Sequence, residues 1–288
     1  MALRLPLIPL KKQAFYRSLR PLITLPHPIS PSEANPFGTQ LAIETTGRVG
    51  SVAVLSGGMV VFEQQIGEPS DKQTRTASEI GPVLQAALAC CHEQAEPLAF
   101  VSVADGPGSF TGLRIGVTSA KMLSYALQVP LVAVNSLAAI AANVFDQQQK
   151  RMEDGGTLAT TLLVACDAYR GQVFCATFEK SLLMPAVEWV HPSWSPLCEQ
   201  VEILESEAWD SQLARVGATV DGVAGDEKPF RKYPIRPIER VQADAVGVGI
   251  LGVRAAMISR WTDPFALVPR YLKPSAAEEK AAASLKPE

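Results

Sequence analysis

The chain has 288 residues, 47% of them hydrophobic, and a formal net charge of −3 at pH 7. This length can bury one large core or two smaller ones, and the negative charge argues against a direct nucleic-acid-binding surface. The cysteines are odd in number without a Cys-x-x-Cys pair, and the three histidines are far apart. We therefore expect no disulfide framework, no helix-borne metal site and a reducing compartment. No apolar run reaches the length of a transmembrane helix.

The two ends of the chain differ in composition from the rest. Residues 1–38 are rich in proline and contain several basic side chains, so they cannot form a regular helix throughout. We expect a disordered extension that the fold does not need, with a transit peptide as the alternative. Residues 274–288 are rich in Ala, Glu and Lys and are expected to form a flexible tail.

Residues 39–146 are predicted to form a first lobe in which strands come first and helices and strands then alternate. The apolar runs predict strands at 41–44, 51–55, 59–66, 98–103 and 131–134. Helical spacing predicts helices at 73–91, 111–127 and 136–145, and Ser136 is expected to cap the last of them. The polar segment 147–156 is predicted to link this lobe to the next.

Residues 157–273 repeat the beginning of that pattern. The segment 162–178 again consists of an apolar strand, an acidic residue, a short turn closed by glycine and a second strand. We expect further strands near 187–190 and at 220–224, followed by a helix at 243–261. A duplicated unit of three strands followed by alternating helix and strand predicts a two-lobed α/β fold.

The most informative motif is the glycine-rich segment 104–116, Ala-Asp-Gly-Pro-Gly-Ser-Phe-Thr-Gly-Leu-Arg-Ile-Gly, which joins a buried strand to a helix. Ser109 and Thr111 are both suitable N-caps. The segment is neither a Walker motif nor a dinucleotide fingerprint. It is either a phosphate cradle at a helix N-terminus or, as the local chemistry favours, a tight strand-to-helix turn. The helix behind it repeats small residues, which permit close approach of another element, at Gly112, Gly116 and Ala120.

An acidic residue ends the first strand of each lobe, at Glu44 and at Asp167. In two-lobed ATPases such a residue can hold a metal-bound nucleotide. It can equally cap the turn that follows, and the absence of a histidine or a third carboxylate nearby in sequence favours this turn role.

Several of these segments resemble the bacterial TsaB (YeaZ) family. The matching segments are Leu41-Ala-Ile-Glu-Thr-Thr, Gly106-Pro-Gly-Ser-Phe-Thr-Gly-Leu-Arg-Ile-Gly116, Val134-Asn-Ser-Leu, Cys166-Asp-Ala-Tyr-Arg-Gly-Gln-Val and Pro269-Arg-Tyr-Leu-Lys. The resemblance covers about residues 39–273. It implies an actin/Hsp70-like (ASKHA) two-lobed fold built from a duplicated β-β-β-α-β-α unit, and a cytoplasmic protein.

The resemblance also implies a function. Family members are non-catalytic subunits of the machinery that makes N6-threonylcarbamoyladenosine in tRNA, and they pair with the catalytic paralogue TsaD. We therefore expect a TsaD-like partner, a TsaE-like ATPase, indirect contact with tRNA, no membrane, and a homodimer where the partner is absent. ATP would be used by the complex, with no cofactor bound by this chain alone. The alternatives are a stand-alone nucleotide-dependent transferase or kinase of the same superfold, or a peptidase homologue.

The expected site residues follow from the same resemblance. TsaD carries a His-x-x-x-His metal pair, whereas the corresponding helix here begins near residues 72–76 without histidine, so no catalytic or metal-binding residue is expected. The motif residues are Glu44, Thr45, Gly106, Pro107, Gly108, Ser109, Phe110, Thr111, Gly112, Arg114 and Asp167. Glu44 departs from the aspartate that is usual in the family. The partner interface is expected at Ile80, Val83, Leu84, Leu113 and Val117, although a single apolar stripe is also what core packing produces.

Overall fold

The computed structural model describes residues 34–67, 76–151, 159–186, 190–191, 193–195, 200–216, 219–233 and 243–274. The predictions for residues 1–33, for the second half of the linker (152–156) and for the tail beyond residue 274 lie outside the described residues. None of the described helices is both long and apolar enough to cross a lipid bilayer.

The first sheet has the strand order β3-β2-β1-β4-β5. Its strands are β1 (Thr39–Glu44), β2 (Gly50–Ser56), β3 (Met59–Ile66), β4 (Leu98–Gly106) and β5 (Leu131–Asn135). The first three strands pair antiparallel, while β4 runs parallel to both β1 and β5. All five strands predicted for this lobe are confirmed. Strand β4 was predicted at 98–103 and extends three residues further, to Gly106.

The second sheet has the strand order β8-β7-β6-β9. Its strands are β6 (Thr161–Asp167), β7 (Gln172–Glu179), β8 (Glu202–Glu205) and β9 (Gly222–Gly225). The pairing repeats that of β3, β2, β1 and β4, with the last strand parallel to β6. This repetition confirms the predicted duplication. The strand expected near 187–190 falls mostly outside the described residues, and the third strand of this sheet is β8.

The described helices are α1 (Thr76–Glu93), α2 (Phe110–Leu127), α3 (Ser136–Arg151), α4 (Lys180–Leu183), α5 (Ser206–Val216) and α6 (Ala245–Met257). A 3₁₀ turn follows β9 at Lys228–Phe230. The helix predicted at 136–145 runs on to Arg151, so the segment predicted as a linker begins as helix. The helix predicted at 243–261 is shorter at both ends. It begins at Ala245, because Asp244 caps its N-terminus by accepting from the Gly247 N–H at 2.8 Å, and it ends at Met257.

The cap of α3 differs from the prediction. The Asn135 side chain accepts from the Ala138 N–H at 3.0 Å, so Asn135 is the N-cap. Ser136 is the first residue of the helix, and its hydroxyl donates to the Pro107 carbonyl. The serine therefore ties α3 to the glycine-rich loop instead of capping the helix.

Across the described residues the elements stack in layers around the two sheets. Helices α1 and α2 cover one face of the first sheet, where strand residues such as Leu41 and Val52 are buried. Helices α3 and α6 lie between the two sheets and share one core with both of them. Helix α5 covers the far face of the second sheet, with Trp209 and Leu213 buried against it. Burial of both faces of a sheet is typical of layered α/β folds.

Helix α6 packs on the first sheet although it comes late in the chain. It contacts β1, β2, β4, β5 and α3. Glycines allow this approach: a Cβ at Gly247 would lie 2.1 Å from the Ala139 carbonyl oxygen, and one at Gly249 would lie 2.4 Å from the Leu55 side chain. The division into lobes at residues 146 and 157 stays a prediction, and the later part of the chain contributes this helix to the core of the first lobe.

Candidate functional site

The glycine-rich loop lies where β4 ends and α2 begins. Ser109 caps α2, because its hydroxyl oxygen accepts from the Gly112 N–H at 3.3 Å. Of the two predicted N-caps, Ser109 is therefore confirmed, and Thr111 lies within the first turn. The Ser109 N–H donates to the Thr46 carbonyl at 2.8 Å, so this loop amide is engaged by the turn between β1 and β2.

The small residues of the loop and of α2 face that same turn. A Cβ at Gly108 would lie 2.4 Å from the Thr46 Cβ, and one at Gly116 would lie 2.2 Å from the Thr45 hydroxyl. The Thr45 hydroxyl donates to the Gly112 carbonyl at 2.7 Å. The predicted close approach along this row is confirmed, and it supports the interpretation of the motif as a tight, packed turn.

Glu44 ends β1 and is completely buried. Its Oε1 accepts from the Thr46 N–H, as a turn cap would, while Oε2 has no partner among the described residues. Burial raises the pKa of Glu44 to about 7, and the nearby carboxyl of Asp244 adds to the rise. This carboxyl group supports the turn and holds its proton more readily than an exposed glutamate does.

Asp167 occupies the equivalent place in the second lobe. One carboxylate oxygen accepts from the Tyr169 N–H at 3.0 Å, and the other pairs with the Lys228 ammonium at 2.7 Å. The Asp167 N–H donates to Asp226 at 2.8 Å, and burial raises the pKa of Asp226. Both carboxylates named by the sequence therefore accept from their own turns.

A small cavity of about 50 Å³ separates the two turns. It lies between the first-lobe residues Thr46 and Arg48 and the second-lobe residues Asp167 and Asp226. Asp226 lies two residues beyond the strand predicted at 220–224, but nothing in the sequence indicated that this carboxylate meets Asp167. That contact depends on the parallel pairing of β6 with β9, which brings the ends of both strands to one edge of the sheet.

The last described segment, residues 262–274, crosses from the first lobe to the second and is called the strap below. Its beginning extends the first sheet, because the Thr262 N–H donates to the Leu131 carbonyl at 2.7 Å. In its middle, the Arg270 N–H donates to the Asp105 carbonyl at 2.7 Å. Near its end, the Lys273 ammonium donates to the Ala168 carbonyl of the second lobe. The strap therefore contacts both lobes beside the glycine-rich loop.

Aromatic and charged groups hold the strap against α2. Tyr271 stacks on Phe110 with ring centroids 4.5 Å apart, and its hydroxyl accepts from Arg114 at 3.1 Å. The Arg114 guanidinium also lies over the Phe110 ring, 4.1 Å from the centroid. These contacts assign the motif residues Phe110 and Arg114 to strap docking, which the sequence motif alone did not reveal.

The five residues predicted for the partner interface are core residues in the structure. All are almost fully buried under α1 and α2: Ile80, Val83, Leu84, Leu113 and Val117. Four of them belong to the cluster that attaches these helices to the first sheet, together with strand residues such as Ile43 and Val101. The apolar stripe therefore serves core packing, and these side chains are not presented to a partner.

A different set of apolar side chains on the same helix is exposed. Met122 and Tyr125 of α2 are 59% and 65% exposed, and Phe265 of the strap is 79% exposed. Tyr125 and Phe265 meet edge to face with centroids 6.1 Å apart. The Lys121 ammonium donates to the Leu267 carbonyl at 2.8 Å and fixes the strap beside them. Met122, Tyr125 and Phe265 are called the apolar patch below.

Within the described residues, no three or more His, Cys, Asp or Glu side chains are placed to share a metal ion. The helix start for which the sequence predicts no histidine pair, residues 72–75, lies outside those residues. The expectation that the chain binds neither metal nor cofactor therefore stays a prediction.

The sequence of this chain is similar to those of proteins named for tRNA modification. Residues 68–183 match the family described as TsaD, tRNA N6-adenosine threonylcarbamoyltransferase. The protein named tRNA threonylcarbamoyladenosine biosynthesis protein TsaB in Bacillus subtilis is 35% identical over 141 residues, 49% of this chain and 55% of that protein. The Escherichia coli protein of the same name is 28% identical over 140 residues, 49% of this chain and 54% of that protein.

This chain is similar to the TsaB (YeaZ) proteins. It spans about half the length of the Bacillus and Escherichia proteins, and 76% of the Buchnera aphidicola TsaB, to which it is 25% identical over 182 residues. The structure called YeaZ from Pseudomonas aeruginosa superposes with a TM-score of 0.59 at 22% identity, covering 82% of this chain and all of that one. The predicted actin/Hsp70-like two-lobed fold is confirmed.

Proposed function

We propose that this chain is a non-catalytic subunit of the complex that forms N6-threonylcarbamoyladenosine in tRNA. In that role it pairs with a TsaD-type catalytic paralogue and activates it. The observation that carries the proposal is the likeness to proteins named for this biosynthesis, at up to 35% identity with the Bacillus subtilis TsaB. The other components would be a TsaE-type ATPase that uses ATP and a tRNA that this chain meets only through the complex.

The state of the two turn carboxylates supports a non-catalytic role. Glu44 is buried against its own turn, and Asp167 is paired with Lys228 at 2.7 Å. A carboxylate that holds a metal-bound nucleotide needs a charged oxygen directed at the ligand. Burial favours the neutral form of Glu44 instead, because its pKa is raised to about 7.

The apolar patch is the surface that we assign to the TsaD-type partner. Met122, Tyr125 and Phe265 expose apolar area on one side of α2, and aromatic side chains are common anchors of protein interfaces. In the absence of the partner, the same patch would pair with a second copy of this chain. The proposed interface thus lies on the exposed side of α2 and not on its buried stripe.

Co-expression of the chain with the TsaD-type protein of the same cell tests this function. Affinity capture should recover the pair, and addition of the chain should raise threonylcarbamoyl transfer to tRNA well above that of the partner alone. Tyr125→Glu and Phe265→Glu should abolish capture without lowering the melting temperature, because both side chains are exposed.

The matched control is Leu182→Glu, which places the same charge at an apolar side chain 68% exposed on the second lobe. It should leave capture unchanged. Failure of the unmodified chain to capture or activate the partner would contradict the function. Normal capture by both patch variants would contradict the location of the interface.

A further inference from the structure

A cleft of about 270 Å³ lies beside the strap. It adjoins the small cavity between the turns and shares with it the lining residues Gly108, Ser109, Tyr169 and Phe174. Its walls come from three parts of the chain: the start of α2 at 108–111, the β6–β7 hairpin through residues 168–170 and Phe174, and the strap at 270–274. This volume is near the lower end of the range of small-molecule pockets. Both lobes and the strap must be in place for the cleft to exist.

The charge of this cleft is opposite to that of the chain. Among the described residues that line it, Arg170, Arg270 and Lys273 are cationic and none is a carboxylate, although acidic residues outnumber basic ones in the whole sequence. Arg270 approaches a carboxylate outside the lining, Asp105, at 3.7 Å. Arg170 and Lys273 are close enough to repel each other: burial and the charge of Arg170 lower the pKa of Lys273, and the carboxylates of Asp167 and Glu205 oppose this effect only in part. Convergence of like charges on one cavity indicates an anionic ligand.

The remaining lining groups suit a phosphate and a flat ring. The hydroxyls of Ser109 and Thr111 line the cleft where the first turn of α2 begins, and such a turn has N–H groups without helical partners. Tyr169 and Tyr271 also line it and are partly exposed, so each offers aromatic surface for stacking, although one face of Tyr271 is taken by Phe110.

The turn that carries Tyr169 and Arg170 is unusual for a hairpin. Both residues have a positive φ, +61° and +55°, although neither is glycine or asparagine. Side chains disfavour this conformation, whereas Gly171, which follows with φ +82°, adopts it without that cost. Such strain occurs where the surrounding structure or a function requires those side chains. Here it places an aromatic ring and a guanidinium at the cleft.

We propose that this cleft binds a nucleotide-type ligand, with its phosphate between Arg170, Lys273 and the start of α2 and its base against Tyr169 and Tyr271. The site goes beyond the proposed function and departs from the expectation that the chain alone binds no cofactor. The same chemistry is offered by a free nucleotide and by a nucleotide within an RNA strand. The cations come from the protein itself, so magnesium is not required.

Calorimetric titration of the full chain with AMP in the presence of EDTA tests the proposal. AMP should bind, while adenosine and inorganic phosphate should each bind at least about tenfold more weakly. Adenosine lacks the phosphate that the cations contact, and inorganic phosphate lacks the base that stacks on the tyrosines. A short single-stranded RNA distinguishes the two sources, and binding tighter than that of AMP would assign the site to RNA. Absence of binding by both AMP and RNA, or a strict need for magnesium, would overturn the proposal.

The decisive variant combines Tyr169→Asn with Arg170→Gly. It should raise the melting temperature, because Asn and Gly tolerate a positive φ better than Tyr and Arg do. It should lower AMP affinity at least about tenfold through loss of a charged hydrogen bond and a stacking surface. Lys273→Gln should weaken binding by a similar factor. The control Arg215→Gln removes an exposed cation of α5 that does not line the cleft. Unchanged AMP affinity in the double variant would overturn the proposal.

The result can be separated from the proposed function. None of the substituted residues belongs to the apolar patch, so capture of the TsaD-type partner should be the same for the double variant and the unmodified chain. Loss of AMP binding with normal capture is the expected pattern. AMP binding by a chain that captures no partner would contradict the subunit function alone.

Discussion

The backbone of Thr45 and that of Gly112 are so close that a Cβ at Gly112 would lie 1.8 Å from the Thr45 carbonyl oxygen. In return, the Thr45 hydroxyl donates to the Gly112 carbonyl at 2.7 Å. The helix that follows the glycine-rich loop is thereby locked to the turn of the first hairpin, and only glycine fits at this contact.

Gly112→Ala should lower the free energy of unfolding by about 3 kcal/mol or more, since the added methyl meets backbone that cannot move aside easily. Urea unfolding of the two proteins measures the difference. Thr118→Ala is the control, because Thr118 is exposed on the same helix. That change should not lower stability, because alanine has the higher helix propensity. Equal stabilities for Gly112→Ala and the unmodified chain would contradict the contact.

Glu44 should make stability fall as the pH rises. Its pKa increases from 4.5 to about 7 on folding, so the folded state binds the proton more tightly than the unfolded state does. The contribution is fully present below pH 4.5 and is lost as the pH rises through 7, by about 3 kcal/mol at most. Glu44→Gln keeps the oxygen that accepts from Thr46 and removes the charge.

In urea unfolding between pH 5 and 8, the free energy of unfolding of Glu44→Gln should rise relative to that of the unmodified chain as the pH increases. Glu207→Gln, on the exposed side of α5, should leave the profile unchanged. A constant difference between Glu44→Gln and the unmodified chain across this range would show that the carboxyl group does not titrate as described. Asp105, whose pKa burial raises to about 6, remains in both proteins and cancels in the comparison. Asp244, whose pKa burial also raises to about 6, interacts with the Glu44 carboxyl, so the pH-dependent difference reports both groups.

Val117→Glu should unfold the chain. Val117 is 3% exposed in the cluster beneath α2, and a buried charge without a partner costs several kcal/mol, about 4 or more at such a site. The neighbouring Thr118→Glu provides the control, because Thr118 is exposed on the same helix. Circular dichroism and melting temperature distinguish the two. A folded Val117→Glu variant would show that this side chain is not a core residue.

Thr262→Val tests the attachment of the strap to the edge of the first sheet. The Thr262 hydroxyl accepts from the buried Ala133 N–H at 3.0 Å. Valine has the same shape without the acceptor, so the variant should lose about 1–3 kcal/mol of stability. Thr219→Val removes an exposed threonine hydroxyl and should change stability by less than about 0.5 kcal/mol. Equal losses for both variants would indicate that the Ala133 N–H finds another acceptor.

The local elements could be predicted from the sequence because they depend on short-range patterns. The two hairpins, β3 and α2 with its Ser109 cap follow from alternation, helical spacing and cap chemistry. The cap of α3 could not be chosen in this way, since Asn135 and Ser136 are both good N-caps. Only the position of Pro107, which accepts from Ser136, decides between them.

The site was less predictable because its members are distant in the chain. The contacts of Asp105 with Arg270 and of Ala168 with Lys273 depend on the packing of α6 on the first sheet, because the strap that follows α6 carries Arg270 and Lys273. The stripe containing Val83 and Val117 was ambiguous for another reason. Helical spacing of apolar residues is the same for a face that packs on a sheet and for a face that meets a partner, so burial had to decide.

The path of α6 has a consequence for any attempt to dissect the molecule. The first sheet lies early in the chain, yet one of the two helices that lie between the sheets is made from residues 245–257. A polypeptide that stopped after α3 would leave bare the sheet face that contains Ala42, Ala53 and Leu55. The two halves are thus not independent modules that can be exchanged between homologues. They behave as complementary fragments, each completing the hydrophobic interior of the other.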